Sequence, residues 1–141
     1  VNYPMKHREA VSHIMSKEVK TVHQKQNLAE VQQLMDEFNI RHIPVVNGSA
    51  VIGILSRTDI MHARYGAIKG GEEMQTTLLE QMSVEKAMTA DPMTVSSGMS
   101  IREVGGIFHE KSFSALPVVE DEKLVGIVTT KDLIGYLLEQ Y

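Results

Sequence analysis

Cysteine is absent from the 141 residues, which excludes disulfides, thiolate catalysis and Cys-based zinc sites and fits a reducing, cytoplasmic setting. Uninterrupted apolar runs stop after a handful of residues, so nothing in the sequence spans a membrane. No cationic-then-apolar leader opens the chain. Its 14 Lys and Arg are outnumbered by 18 Asp and Glu. The resulting net charge of −4 lacks the dense positive surface that nucleic acid demands. Phosphate loops of the Gly-x-x-x-x-Gly-Lys-Ser/Thr and Gly-x-Gly-x-x-Gly types are missing, as is a Gly-x-Ser-x-Gly elbow. The six His are scattered, with no His-x-x-x-His pair, which leaves a metal site without support. No nucleophile or general base stands out, so the chain does not read as an enzyme. The first residue is Val1 rather than Met, as expected of a trimmed chain or a piece of something larger. What remains is 43% hydrophobic and 23% charged, the balance of one ordinary globular domain or two very small ones.

What is present is a duplication. Sliding the chain by 73 positions aligns 11–60 with 84–133 without a gap and gives 13 identities. Among them are Met15/Met88, Thr21/Thr94, Val22/Val95, Pro44/Pro117, Gly53/Gly126, Ile54/Ile127 and Asp59/Asp132. A repeat of roughly 50 residues is too small to bury a core alone, whereas two packed together are not.

Both repeats read as β-α-β-β-α. A short extended piece (Val19 to Val22, Pro92 to Val95) precedes a helix with an apolar stripe, Leu28, Val31, Leu34, Met35 and Phe38, or Ile101, Val104, Ile107 and Phe108. Asn27 with Glu30, and Ser100 with Glu103, are the capping signatures that start these helices. Gly105 and Gly106 inside the second copy each cost roughly 1 kcal/mol against Ala, which implies close packing against a neighbour. Apolar runs Ile43–Val46 and Val51–Leu55, about the turn 47–49, predict a hairpin buried on both faces. Its copy is Leu116–Val119 and Leu124–Val128 about Glu120–Lys123. A further helix opens at Ser56 or Thr129. The connector from Tyr65 to Met82 predicts one more helix over 72–82. The nine Met are expected to be core filler.

The chemistry-bearing pattern is Ser56-Arg57-Thr58-Asp59 and its copy Thr129-Thr130-Lys131-Asp132, each joining a strand end to a helix start. Ser/Thr-x-x-Asp is itself a capping box, with its acid favoured by the helix dipole. The same four residues offer N–H groups to a phosphate and a carboxylate to a ribose diol. Both readings are open at this point.

Val-x-x-x-Met-Ser/Thr, Thr-Val, the amphipathic helix, aliphatic-Pro-Val-Val and Gly-Ile-aliphatic-Ser/Thr-x-x-Asp together resemble a tandem pair of CBS domains, named after cystathionine β-synthase. The resemblance covers nearly the whole chain: repeat 1 at 8–65, a linker at 66–81 and repeat 2 at 82–140. It implies an α/β fold of two β-α-β-β-α repeats packed by pseudo-twofold symmetry into one CBS-pair module. It further implies clefts for adenosine derivatives (AMP, ADP, ATP or S-adenosylmethionine as regulatory ligand, with no catalytic cofactor), a homodimer, an effector protein and a role in energy or metabolite sensing. The alternative is a ligand-free dimerisation or protein-interaction module. In the resemblance each cleft takes its adenine wall from one repeat and its ribose acid from the other. One cleft then joins Thr94, Val95, Phe113, Ser114, Ala115, Leu116 and Pro117 to Ser56, Arg57, Thr58 and Asp59. The second joins Thr21, Val22, Ile40, Arg41, His42, Ile43 and Pro44 to Thr129, Thr130, Lys131 and Asp132. Arg41 and His42 depart from the small residues usual at that point. They read either as a solvated strand edge or, with Lys131, as three cations that favour ADP or ATP in the Asp132 cleft over AMP or S-adenosylmethionine in the Asp59 cleft.

Overall fold

The hairpins anticipated from the apolar runs are the centres of two separate sheets. The structure is a computed structural model and describes residues 9–65 and 71–141, with only the backbone of Glu72 and Glu73. The connector glycines Gly66 and Gly70 lie outside the described residues. The chain divides into a central unit, Lys20–Pro92, and a terminal unit, which joins the stretch ending at Val19 to Met93–Tyr141.

In the central unit the elements are β1 (Val22–His23), α1 (Leu28–Phe38), β2 (His42–Asn47), β3 (Ala50–Ser56), α2 (Arg57–Tyr65), α3 (Gly71–Gln81), α4 (Val84–Ala87) and β4 (Thr89–Ala90). The sheet runs β1-β2-β3-β4, with β1 parallel to β2 and the remaining pairs antiparallel. Asn27 caps α1 by accepting from the Glu30 N–H at 2.9 Å. Asn39 closes the helix in the left-handed region at φ 51°, a conformation that Asn tolerates. Leu28, Val31 and Met35, from the anticipated stripe, pack with Val22, Ile43, Val45, Leu55, Ile60, Leu79 and Val84. Phe38 is exposed and carries the Lys20 ammonium 4.2 Å from its ring centre.

The terminal unit repeats the plan with β5 (Val95–Ser96), α5 (Ile101–Glu110), β6 (Ala115–Glu120), β7 (Lys123–Thr129) and α6 (Thr130–Glu139). Its sheet runs β5-β6-β7, and its core gathers Val11, Val95, Val104, Leu116, Val118 and Val128. Both hairpins slip register at the same place, between Val45 and Val46 and between Val118 and Val119. The first strands are shorter than the extended pieces read from sequence, and both hairpin turns tighten to two residues, Gly48-Ser49 and Asp121-Glu122. The Gly105-Gly106 expectation is corrected. A side chain at Gly105 would meet Leu133 at an ordinary 3.9 Å, and one at Gly106 would meet nothing within 4 Å. Met61, Met74 and Met93 are surface residues rather than core filler.

The packing unit and the sequence repeat are different divisions of the chain. In the terminal unit Val11, fully buried in a single 3-10 turn (Val11–His13), donates its N–H to Met99 O at 2.8 Å, while Ser16 bridges Ile127. In the central unit Val84, equally buried, donates to Gln26 O at 2.8 Å, and Thr89 pairs with Ile54. Each repeat's leader therefore completes the other repeat's sheet. The leaders cross the Gly of the Gly-Ile motif. A Cβ on Gly53 would strike the Met88 sulfur and lie 3.2 Å from Thr89 O, and one on Gly126 would lie 2.9 Å from Ser16 O and against Met15. Only glycine leaves that space.

Candidate functional site

Each unit joins a strand-to-helix turn to the loop that precedes its hairpin. In the central unit the Arg57 N–H donates to Arg41 O at 2.9 Å; in the terminal unit the Thr130 N–H donates to Ser114 O at 3.0 Å. The wall and the acidic turn of one repeat are thus held together.

Within the turns the capping reading is realised in full. Ser56 N–H donates to Asp59 Oδ2 at 2.8 Å, and Asp59 N–H donates to Ser56 Oγ at 3.2 Å. Thr129 and Asp132 repeat this at 2.9 and 3.2 Å. Three N–H groups of each turn are consequently engaged inside the protein, which narrows the phosphate reading that rested on open N–H groups. The boxes use only Oδ2 of each half-buried Asp, and Oδ1 faces no partner from the box.

Burial separates the other candidates. Val22, Ile43, Pro44, Val95, Ala115, Leu116 and Pro117 are buried and serve as backing. Thr21, Arg41, Thr58, Phe113, Ser114 and Lys131 are exposed, while Ile40, His42, Thr94 and Thr130 are half-buried. Arg57, anticipated as a ligand contact, clasps the end of α1: its Nε donates to Ile40 O at 3.0 Å, Nη2 to Met35 O at 2.7 Å and Nη1 to Asp36 at 2.8 Å. Met35 O already accepts the Ile40 N–H at 3.0 Å and Ile40 follows the end of α1, so one guanidinium fork ties the last turn of the helix to the chain leaving it. Sequence offered no signal for this clasp, because its partners lie about twenty positions away in the chain. His42 stands opposite Ser56 in the hairpin. Burial lowers its pKa, Asp59 opposes the shift and Arg41 adds to it. The imidazole therefore leans neutral. Among the described residues no group of three or more His, Cys, Asp or Glu could hold a metal ion.

The family model for the CBS domain matches the chain twice, at residues 11–66 and 84–139. The chain belongs to the CBS-domain family. Solved CBS-pair structures share its fold. CBSX2 from Arabidopsis thaliana, in its complex with AMP, superposes with a TM-score of 0.79 at 20% identity, covering 93% of this chain and 97% of that one. The CBS domain pair of MJ0100, in complex with 5′-methylthioadenosine and S-adenosyl-L-methionine, gives 0.76 at 25% identity and covers 94% and 98%. Among curated relatives, inosine-5′-monophosphate dehydrogenase of Korarchaeum cryptofilum is 31% identical over 118 residues. That match takes 83% of this CBS pair but only 22% of the dehydrogenase, and the chain spans less than half the length of several relatives it matches. Among the described residues no helix is long and apolar enough to cross a membrane.

Proposed function

We propose that this CBS pair is a non-enzymatic, cytoplasmic regulatory module. It binds an adenosine derivative (AMP, ADP, ATP or S-adenosylmethionine), assembles as a homodimer and passes the change in packing to an effector. The observation that carries this reading is the doubled Ser/Thr-x-x-Asp turn, whose Asp keeps one oxygen outside its capping box in both units. A ribose diol is the ligand group suited to such an acceptor. The complexes formed by CBSX2 and MJ0100 supply the ligand class. In this reading each wall works with the acid of the other repeat, Phe113–Pro117 with Asp59 and Ile40–Pro44 with Asp132. Binding to one packing arrangement of the repeats shifts the population toward it.

The test is calorimetric titration of the full chain with AMP, ATP and S-adenosylmethionine, alongside Asp59→Asn and Asp132→Asn. Asn still accepts the capping bond but loses the charge. Each variant should melt near the wild type and weaken its own cleft by roughly tenfold or more. The satisfied capping boxes favour one rival, the ligand-free dimerisation module. That rival predicts no thermal stabilisation by any of the three ligands at millimolar concentration, where a specific ligand at a hundred times its Kd would add about 2.7 kcal/mol.

A further inference from the structure

The two capping boxes are built alike but do not have like neighbours. In an antiparallel pair, directly opposite residues put their side chains on one face of the sheet, with Cβ atoms about 5 Å apart. His42 is opposite Ser56, so its imidazole shares a face with the box in which Ser56 and Asp59 hold each other at 2.8 and 3.2 Å. The bond from the Arg57 N–H to Arg41 O, 2.9 Å long, fixes the chain just before His42 to the same turn. The terminal unit sets Ala115 opposite Thr129, and a methyl group neither donates nor titrates.

Few charged groups surround His42. Asp59 faces it from α2, and Arg41 precedes it in the chain. The Arg57 guanidinium is turned to the end of α1, where it also holds Asp36. From β1, His23 is level with Val46, toward the other end of β2. Burial holds the half-buried imidazole below its ordinary pKa, while Asp59 pulls the other way.

We propose that His42 is a proton-operated gate on the Asp59 acceptor, and that the Asp132 acceptor has no such gate. The inference rests on the adenosine reading above and adds regulation to one of its two sites. With the imidazole neutral, the carboxylate oxygen outside the capping box is left to the ribose diol. With the imidazole protonated, a cation on the same face competes for that oxygen through a charge-assisted hydrogen bond. Ligand and proton then oppose one another, and by linkage each weakens the other by the same factor. Affinity is full above the pH at which His42 titrates and falls below it, on the acid side of the ordinary 6.5. In acid the chain keeps one ligand and gives up the other.

The probe is 5′-methylthioadenosine, which has the diol but no phosphate, carboxylate or alkylamine to titrate in the same range. Being neutral, it also gives His42, in its place on the wall of the Asp132 cleft, no phosphate to attract. Calorimetric titration of the full chain runs in steps from about pH 7.5 to 5. Asp132→Asn reports the Asp59 cleft and Asp59→Asn the Asp132 cleft. Asp132→Asn should lose roughly tenfold in affinity across the range, which is one pKa unit of coupling, while Asp59→Asn stays level. His42→Gln added to Asp132→Asn should abolish the loss, whatever its affinity at neutral pH. Proton NMR of the His42 ring in Asp132→Asn should show its titration moved to lower pH by the same factor once the probe saturates the protein. A loss that survives His42→Gln or appears in Asp59→Asn overturns the gate and leaves adenosine binding standing. So does an Asp59 cleft whose affinity is level in pH, or a His42 titration that the probe does not move. No binding at any pH overturns the adenosine reading and the gate with it.

Discussion

The central and terminal units trace the same backbone path, yet their side chains solve its exposed ends differently. Where the central unit places Arg57 across the end of α1, the terminal unit has Thr130; where the central unit sets His42 opposite Ser56, the terminal unit sets Ala115 opposite Thr129. Both leaders accept with a backbone carbonyl from the helix start of the other repeat, Met82 O from Leu28 N–H and Glu9 O from Ile101 N–H, at 3.0 and 2.8 Å. The terminal leader adds a polar tie, because the Glu9 side chain hydrogen-bonds Tyr136 and holds its phenol above the usual pKa. In the central unit the matching residues, Met82 and Ala63, pack on the core. Backbone topology is therefore specified by the repeated motifs, while stability and chemistry are tuned separately in each copy.

The sharpest way to break the comparison is to charge one leader at a time. Val84→Asp and Val11→Asp bury a carboxylate in a core that offers it no partner, at a cost on the order of 3 kcal/mol or more. Hydrogen exchange should then show protection lost first in 20–92 for Val84→Asp and first in 93–141 for Val11→Asp. The reverse pattern would mean that each leader stabilises its own repeat.

Next come the two motif glycines. Gly126→Ala and Gly53→Ala should each cost about 1–3 kcal/mol through overpacking. Gly126 should be the worse, because backbone Ser16 O lies nearer to the new methyl than Thr89 O does at Gly53. Chemical denaturation of both variants measures the order.

How far these features could be read in advance differs from element to element. The caps at Asn27 and Ser100, the hairpins, the turn helices and α3 were legible, because each is written in local periodicity or a four-residue motif. The identities Met15/Met88 and Gly53/Gly126 were visible too, but not their meaning. A repeat marks equivalent positions and does not say which copy a segment packs against. The Arg57 clasp was hidden for the same reason, being a tertiary contact of a residue that also suits a ligand. Gly105 and Gly106 misled, since the space around them belongs to three dimensions. At the turns sequence left capping and ligand binding open, and the structure makes capping a fact without removing the acceptor it leaves over.

Arg57→Ala sharpens the comparison at smaller scale. Its bond to Asp36 is largely solvated and contributes little. Loss of the two carbonyl partners should cost about 1–2 kcal/mol in the melting transition, against less than about 0.5 kcal/mol for Thr130→Ala at the matching surface position.

The smallest effect is the dependence on pH. The folded chain holds His42 below its ordinary pKa of 6.5, mainly by burial, with Asp59 and Arg41 beside it. As pH falls through that ordinary value the unfolded chain takes up the proton more readily, so stability is present above it and declines below. Melting curves between about pH 5 and 8 should show a shallower acid decline in His42→Ala than in the wild type. An equal decline in both would assign the effect elsewhere, since Ala115 gives the terminal unit no such group.

The exchanged leaders also set an order of events during synthesis. Lys20–Pro92 is continuous in sequence, so the central unit has all its strands as soon as β4 leaves the ribosome. The terminal unit is split: the segment carrying Val11 and Ser16 emerges early, while Ile127, its bridging partner, emerges near the other end of the chain. Until then that segment has no sheet to join, and its buried face waits in solvent or with a chaperone. Contacts so distant in sequence form slowly. Closure of the terminal unit is therefore expected to be the late step of folding, with the central unit already assembled as the platform that the nascent chain carries.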